Sequence, residues 1–261
     1  MASITQSMVE LFRFRTLLEY LVVLDLRLRY RGSVLGFLWT LLNPLLLMLV
    51  MWAVFSRFGK VSEKNYALFL LSGLSLWIFF QQSIDRSLGA IISNRGLLQK
   101  VRVPRLIFPI AMVGSNFLNL LFFIAAYLVA ALLFGYGVPV TAFFVPAALL
   151  MLLLLAAGAV LFMSALAVFF RDLTHLTPVL MRALFYLTPV LYRPTILGEQ
   201  AHRILALNPA YYPVVAAREL LYDGTVPDAQ FWAIGYAAAL VVFIVGLVVF
   251  TRTQEQFVYY A

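Results

Sequence analysis

The sequence predicts an all-α, polytopic membrane protein with six transmembrane helices, an N-terminal interfacial helix, and short re-entrant helices before the last span. Three observations predict it. Hydrophobic residues make up 64% of the 261 residues and charged residues only 11%, against about half and a quarter in soluble globular domains. The apolar runs are long enough to cross a hydrocarbon core about 30 Å thick, which takes roughly 20 helical residues. Basic residues collect on alternate connections between those runs, as the positive-inside rule requires.

The N-terminal segment, residues 1–33, is read as a cytoplasmic interfacial helix over roughly 8–31. Leu24, Leu26, Leu28 and Tyr30 alternate with Asp25, Arg27, Arg29 and Arg31, a period of two that formally suggests a strand. Leucine and arginine are good helix formers, however, and an unpaired strand beside lipid leaves backbone groups unsatisfied. A transmembrane domain over 34–252 follows, with spans at about 36–57, 66–92, 107–135, 141–170, 174–196 and 231–251, and a cytoplasmic tail at 253–261. Pro178, Arg182 and Pro189 interrupt the fifth span. The segment Leu197–Asp228 is too apolar for a solvated loop and too broken for a span, which suggests two short helices dipping into the outer leaflet.

Charge sets the orientation. Arg13, Arg15, Arg27, Arg29, Arg31, Arg95, Lys100, Arg102, Arg105, Arg171 and Arg252 fall on one side. Arg57, Lys60, Lys64, Arg193, Arg203 and Arg218 fall on the other. The richer side is expected in the cytoplasm with both termini. The net charge of +8 flanks apolar runs, so it serves orientation and anionic headgroups rather than nucleic acid.

Several chemistries are missing. There is no cysteine, and the two histidines, His175 and His202, stand far apart, so no metal site is expected. The only Gly-Lys pair, Gly59–Lys60, lacks the rest of a phosphate-cradling loop. Leu71-Ser72-Gly73-Leu74-Ser75 echoes an ABC ATPase signature but lies inside an apolar run. No Gly-x-Ser-Gly turn suggests an intramembrane protease, and no carboxylate cluster suggests a proton relay. Asp85 and Arg86 suit a local ion pair or an interfacial anchor, and the first residues lack a signal-peptide pattern.

A few polar groups carry two readings. Arg95, Lys100, Arg102 and Arg105 serve either as topology anchors or, with Asn94, Gly96, Leu97, Leu98, Gln99 and the stop at Pro104, as a compact cytoplasmic element of one to two turns. Arg29, Tyr30 and Arg31 either anchor span one or meet a pyrophosphate headgroup at a cytoplasmic entrance, since arginine matches phosphate bidentately. At 100° per residue, Pro178, Arg182, Phe185, Pro189 and Tyr192 fall within one helical arc of about 80°. A charge in a span normally faces protein or water, so that arc, with Trp39 as a neighbour, is a candidate substrate pathway.

Four stretches then resemble the permease subunits of type-2 ABC exporters, in their polysaccharide and polyol-phosphate branch. They are Arg29-Tyr30-Arg31-Gly32-Ser33 running to Trp39 and Asn43-Pro44; Asn94-Arg95-Gly96-Leu97-Leu98-Gln99-Lys100 running to Pro104-Arg105; Phe170-Arg171-Asp172-Leu173 with Thr188-Pro189-Val190-Leu191-Tyr192; and Leu207-Asn208-Pro209 with Arg218. The resemblance implies a homodimer bound to two copies of a separate ABC ATPase, which holds ATP and magnesium. It implies no cofactor on this chain, and export of a lipid-linked glycan such as an O-antigen, capsule or teichoic-acid precursor across the bacterial cytoplasmic (inner) membrane. It also implies a coupling helix at Asn94–Pro104 and an outer gate around Asn208, Pro209, Tyr211 and Tyr212. Rival expectations are a permease for a drug or small lipid, and a membrane-embedded glycan-processing enzyme.

Overall fold

Helices are the only regular elements among the described residues of the computed structural model, which are 4–33, 35–36, 38–39, 42–43, 45–46, 49–50, 53, 65–100, 103–196 and 198–257. The N-terminal segment forms α1 (Ile4–Arg13) and α2 (Arg15–Tyr30), separated at Phe14 where the backbone leaves helical angles. The alternating Leu–Arg stretch is therefore helical, as its propensities require. The predicted first span, 36–57, lies largely outside the described residues. Leu38, Trp39 and Ala53, which are described there, are helical and exposed.

Asn65 caps α3 (Tyr66–Ser87) by accepting the Leu68 N–H at 3.3 Å. Every residue from Leu68 to Trp77 is buried, so α3 is the central helix of the bundle. It ends before the predicted limit of residue 92. Ser93 and Asn94 turn their side chains onto the carbonyls of Gly89 and Ala90, a local alternative to a helical ladder. The short helix α4 (Arg95–Lys100) follows.

The next helix, α5 (Ile107–Leu133), closes in a Schellman motif. The Tyr136 N–H bonds the Ala131 carbonyl, the Gly135 N–H bonds that of Leu132, and Gly135 takes φ +67°. A 3-10 turn, Val140–Phe144, leads into α6 (Val145–Phe169). Then come α7 (Leu173–Leu187), α8 (Glu199–Ala206), α9 (Tyr211–Arg218), a π-helical turn at Glu219–Asp223, and α10 (Ala229–Thr253).

Among the described residues, four stretches are long and apolar enough to cross a membrane: Tyr66–Ser87, Ile107–Leu133, Val140–Phe169 and Ala229–Gln256. The fifth predicted span needs correction. Its helix stops at Leu187 rather than continuing to residue 196, because Thr188, forced extended ahead of Pro189, cannot propagate it. The two short helices expected between spans five and six are present, but α9 does not face lipid. All eight of its residues are buried.

Backbone contact holds α6 and α10 together. A side chain at Gly246 would run into the carbonyl of Gly158, and one at Gly158 would meet the backbone of Phe243. Lipid tails are as apolar as leucine, so van der Waals contact between small residues is the main attraction available to such a pair.

Candidate functional site

At the end of the bundle remote from the chain's N-terminus, the break after α7 exposes carbonyls that a continued helix would have paired. Arg218, at the end of α9, supplies the missing donors. Its guanidinium donates to the carbonyls of Pro189, of Val190 at 2.7 Å and of Tyr192 at 3.4 Å. It also lies 4.0 Å over the Phe69 ring and is 3% exposed. Asn208, between α8 and α9, grips the same break. Its amide donates to Thr188 Oγ1 at 2.8 Å and to the Leu187 carbonyl at 3.4 Å, while its oxygen accepts the Ala210 N–H. The Tyr66 hydroxyl adds a bond to the Leu191 carbonyl at 2.9 Å.

The π-helical turn after α9 is held in the same way. Thr141, Tyr127 and Tyr136 donate their hydroxyls to the carbonyls of Leu220, Leu221 and Tyr222 at 2.7, 3.0 and 3.2 Å. Arg193 makes a bidentate pair with Asp223 at 2.6 and 3.2 Å, against the rings of Phe69 and Tyr222. Aromatic packing then fastens α9 to the last span: the Tyr212 and Phe231 rings lie 5.1 Å apart, and the Tyr212 hydroxyl bonds the Ala206 carbonyl. Buried polar backbone beside an apolar core must be paired or it costs the full desolvation of each group. Here side chains from α3, α5, the 3-10 turn, the connection before α9 and α9 itself do the pairing.

A second polar centre lies at the opposite end. Asp25 on α2 accepts from both terminal nitrogens of Arg86 at the end of α3, one at 2.8 Å, and from Arg29 one turn later at 3.3 Å. Arg29 also donates to Asn116 of α5 at 2.7 Å, and Asn116 donates to Ser83 of α3 at 3.2 Å. Three helices are thus joined by one circuit of side chains.

These geometries redistribute the residues singled out by sequence. Arg218, counted by its charge among the outer-side cations, is a buried clamp. Arg86 pairs with Asp25, not with its neighbour Asp85. Pro178, Arg182 and Phe185 share α7, but Pro189 and Tyr192 lie beyond its end, so the single helical arc does not exist. Arg182 is exposed. Phe185 packs on Trp77 at 5.7 Å between ring centroids, and the Tyr192 hydroxyl is bound to the Tyr186 carbonyl at 2.8 Å. Trp39 and Arg31 are exposed, whereas Arg29 is engaged in the circuit just described. Arg95 to Lys100 form α4, with Arg95, Gly96 and Leu97 exposed; Arg102 lies outside the described residues. Of Asn208, Pro209, Tyr211 and Tyr212, Asn208 grips the break, and the two tyrosines open α9, buried against Phe231.

Sequence reasoning missed Asp25 and Asn116 as working positions and gave Arg86 only a local role. The spacing of Asp25 and Arg29 at i, i+4 on a helix was a usable signal for their pairing. The bonds from α2 to α3 and α5 had no local signal.

A bundle of apolar helices that encloses a short helix and a clamped break defines an integral membrane protein of the polytopic helical class. Residues 16–222 match the ABC-2 type transporter family, and the chain belongs to that family. It is therefore a membrane-spanning permease component that works with an ATPase subunit. It is 33% identical over 250 residues to the O-antigen export system permease protein RfbA of Myxococcus xanthus, covering 95% of this chain and 96% of that protein. It is 32% identical to the protein of the same description from Klebsiella pneumoniae, over 92% of this chain and 94% of the relative. The polysialic acid transport protein KpsM of Escherichia coli is 25% identical over 91% of this chain and 93% of its own length.

Proposed function

We propose that this chain is the permease of an ATP-driven exporter that moves a lipid-linked, O-antigen-like polysaccharide across the bacterial cytoplasmic membrane. The observation that carries the reading is the near full-length similarity to permeases described as O-antigen export proteins. The working unit is a homodimer of six-span subunits with two ATPase copies, which hold ATP and magnesium, and both termini lie in the cytoplasm.

Within it, Asn94, Arg95, Gly96, Leu97, Leu98, Gln99, Lys100, Arg102 and Pro104 form the element that docks into the ATPase. The exposure of Arg95, Gly96 and Leu97 supports this role. Arg31, with Tyr30 and Arg29 beside it, receives the anionic headgroup. Arg182 and Trp39, both exposed, line the glycan route, with Phe185 and Tyr192 in its wall. Asn208, Pro209, Tyr211 and Tyr212 form the outer gate; the grip of Asn208 on the break and the burial of the tyrosines next to it in the chain support this role.

The test is loss and restoration of the chain in its source cells. Loss should abolish the glycan at the cell surface and leave the lipid-linked glycan inside. Unchanged surface glycan with altered sensitivity to toxic small molecules would reject the reading. So would glycan turnover by the purified chain alone.

A further inference from the structure

Apart from Arg29, the circuit around Asp25 takes no part in the proposed substrate route, and its geometry is specific. Asp25 is a single carboxylate shared by two guanidiniums: Arg29 on its own helix, and Arg86, which takes both of its oxygens. The side chains of Asp25, Arg29 and Arg86 are 14%, 19% and 32% exposed, so water screens the pairs only in part. Through Arg29 and Asn116 the circuit returns to Ser83 on α3, whose hydroxyl closes onto the Phe79 carbonyl. The hydrophobic side of α2 meets the same region. Leu24, Asp25, Leu28 and Asn94 line one cleft with Phe108 and Met112, and Asn94 immediately precedes α4.

We propose that Asp25 is a positioning residue for energy transfer: it latches α2 to the bases of α3 and α5, so that a push on α4 moves all three as one body. This rests on the reading of α4 as the ATPase-docking element. Mechanical work delivered to a surface helix is dissipated if the helix slides over its neighbours. Apolar packing along α2 resists separation but little resists sliding, whereas a bidentate ion pair fixes direction as well as distance. The charge count also predicts an asymmetry. Removing Asp25 leaves two guanidiniums facing each other, while removing Arg86 leaves Asp25 paired with Arg29.

The test uses the whole permease–ATPase complex. ATP hydrolysis is measured on purified complex in phosphatidylethanolamine–phosphatidylglycerol vesicles, and export as glycan displayed by the source cells. Asp25→Arg should assemble and hydrolyse ATP within about twofold of the parent, while surface glycan per folded complex falls on the order of tenfold, the upper range for a single coupling contact. Asp25→Asn should do more harm than Arg86→Gln. The swap Asp25→Arg with Arg86→Asp again places one carboxylate between two guanidiniums and should restore export.

If export falls only in proportion to folded complex, or the swap restores assembly without restoring export per complex, the latch is rejected. A scramble of Gly96–Lys100, run in parallel, separates the two claims. An uncoupled scramble with normally coupled Asp25 variants rejects the latch alone. A scramble that exports normally rejects docking through α4, and with it the route into Asp25.

Discussion

Gly73 lies directly beneath the guanidinium of Arg218, and a β-carbon at position 73 would occupy the space of Nη2. The absence of a side chain on α3 is therefore what admits the clamp that holds the break after α7. Three substitutions follow from this contact. Gly73→Ala should push the guanidinium off its carbonyls and lower stability by about 2 kcal/mol, in the range of overpacking a filled core. Arg218→Met should cost more, on the order of 3–5 kcal/mol, because it strands several buried carbonyls. Thermal unfolding of the solubilised complex measures both. Arg218→Lys should rescue little, since an ammonium cannot lie flat on Phe69 while reaching separate carbonyls. A Gly73→Ala protein as stable as the parent would show that the clamp has slack.

The crossing of α6 and α10 provides a second expectation. Gly246 and Gly158 touch through backbone atoms, so even a methyl group must separate the helices. Gly246→Ala should destabilise by roughly 1–3 kcal/mol, and Gly246→Leu should prevent assembly. Replacing the lipid-exposed Val245 next to it by leucine should do neither, because that position, 47% exposed, has room.

Much of the fold was legible because lipid enforces simple rules. Long apolar runs must be helices, and α3, α5, α6 and α10 begin within a few residues of where composition places them. The end of α7 was less legible. Pro178 is tolerated inside the helix, whereas ahead of Pro189 the backbone at Thr188 is extended and the carbonyls that follow find partners outside the helix. Those partners, Arg218 and Asn208, come from elements about 20 to 30 residues further along. Charge counting placed Arg218 with the outer loop cations because it reads sign and position, not burial. The Asp25–Arg86 pair was hidden for the same reason: sequence shows each charge but not the angle at which α2 lies across α3.

The proposed orientation is checked by single cysteines, which this chain lacks naturally. Leu97 on α4 is 37% exposed and Val226, before the last span, is 49% exposed. Cysteine at 226 should react with an impermeant maleimide on intact cells once any outer membrane is opened. Cysteine at 97 should react only after the cytoplasmic membrane is permeabilised. The opposite pattern would invert the topology.

Acid should stabilise the segment between α9 and α10. Burial pushes the Glu219 carboxyl above its usual range, the nearby carboxylates of Asp223 and Asp228 push it the same way, and Arg193 opposes them. A carboxyl whose folded pKa is raised binds its proton more tightly in the native state than in the unfolded one. Its ionisation therefore costs stability as pH rises through the interval from the unfolded to the folded pKa, and lowering the pH through that interval recovers the loss. Glu219→Gln, neutral throughout, should raise the unfolding temperature at pH values above the ordinary carboxylate range and flatten the pH dependence there. The backbone of the turn should be unaffected, because the bond from the Thr225 N–H goes to the Glu219 carbonyl, not to its side chain. Unfolding temperatures of parent and variant across that pH range decide the matter. Equal slopes would mean that Glu219 is ionised at no cost, with Arg193 balancing its neighbours.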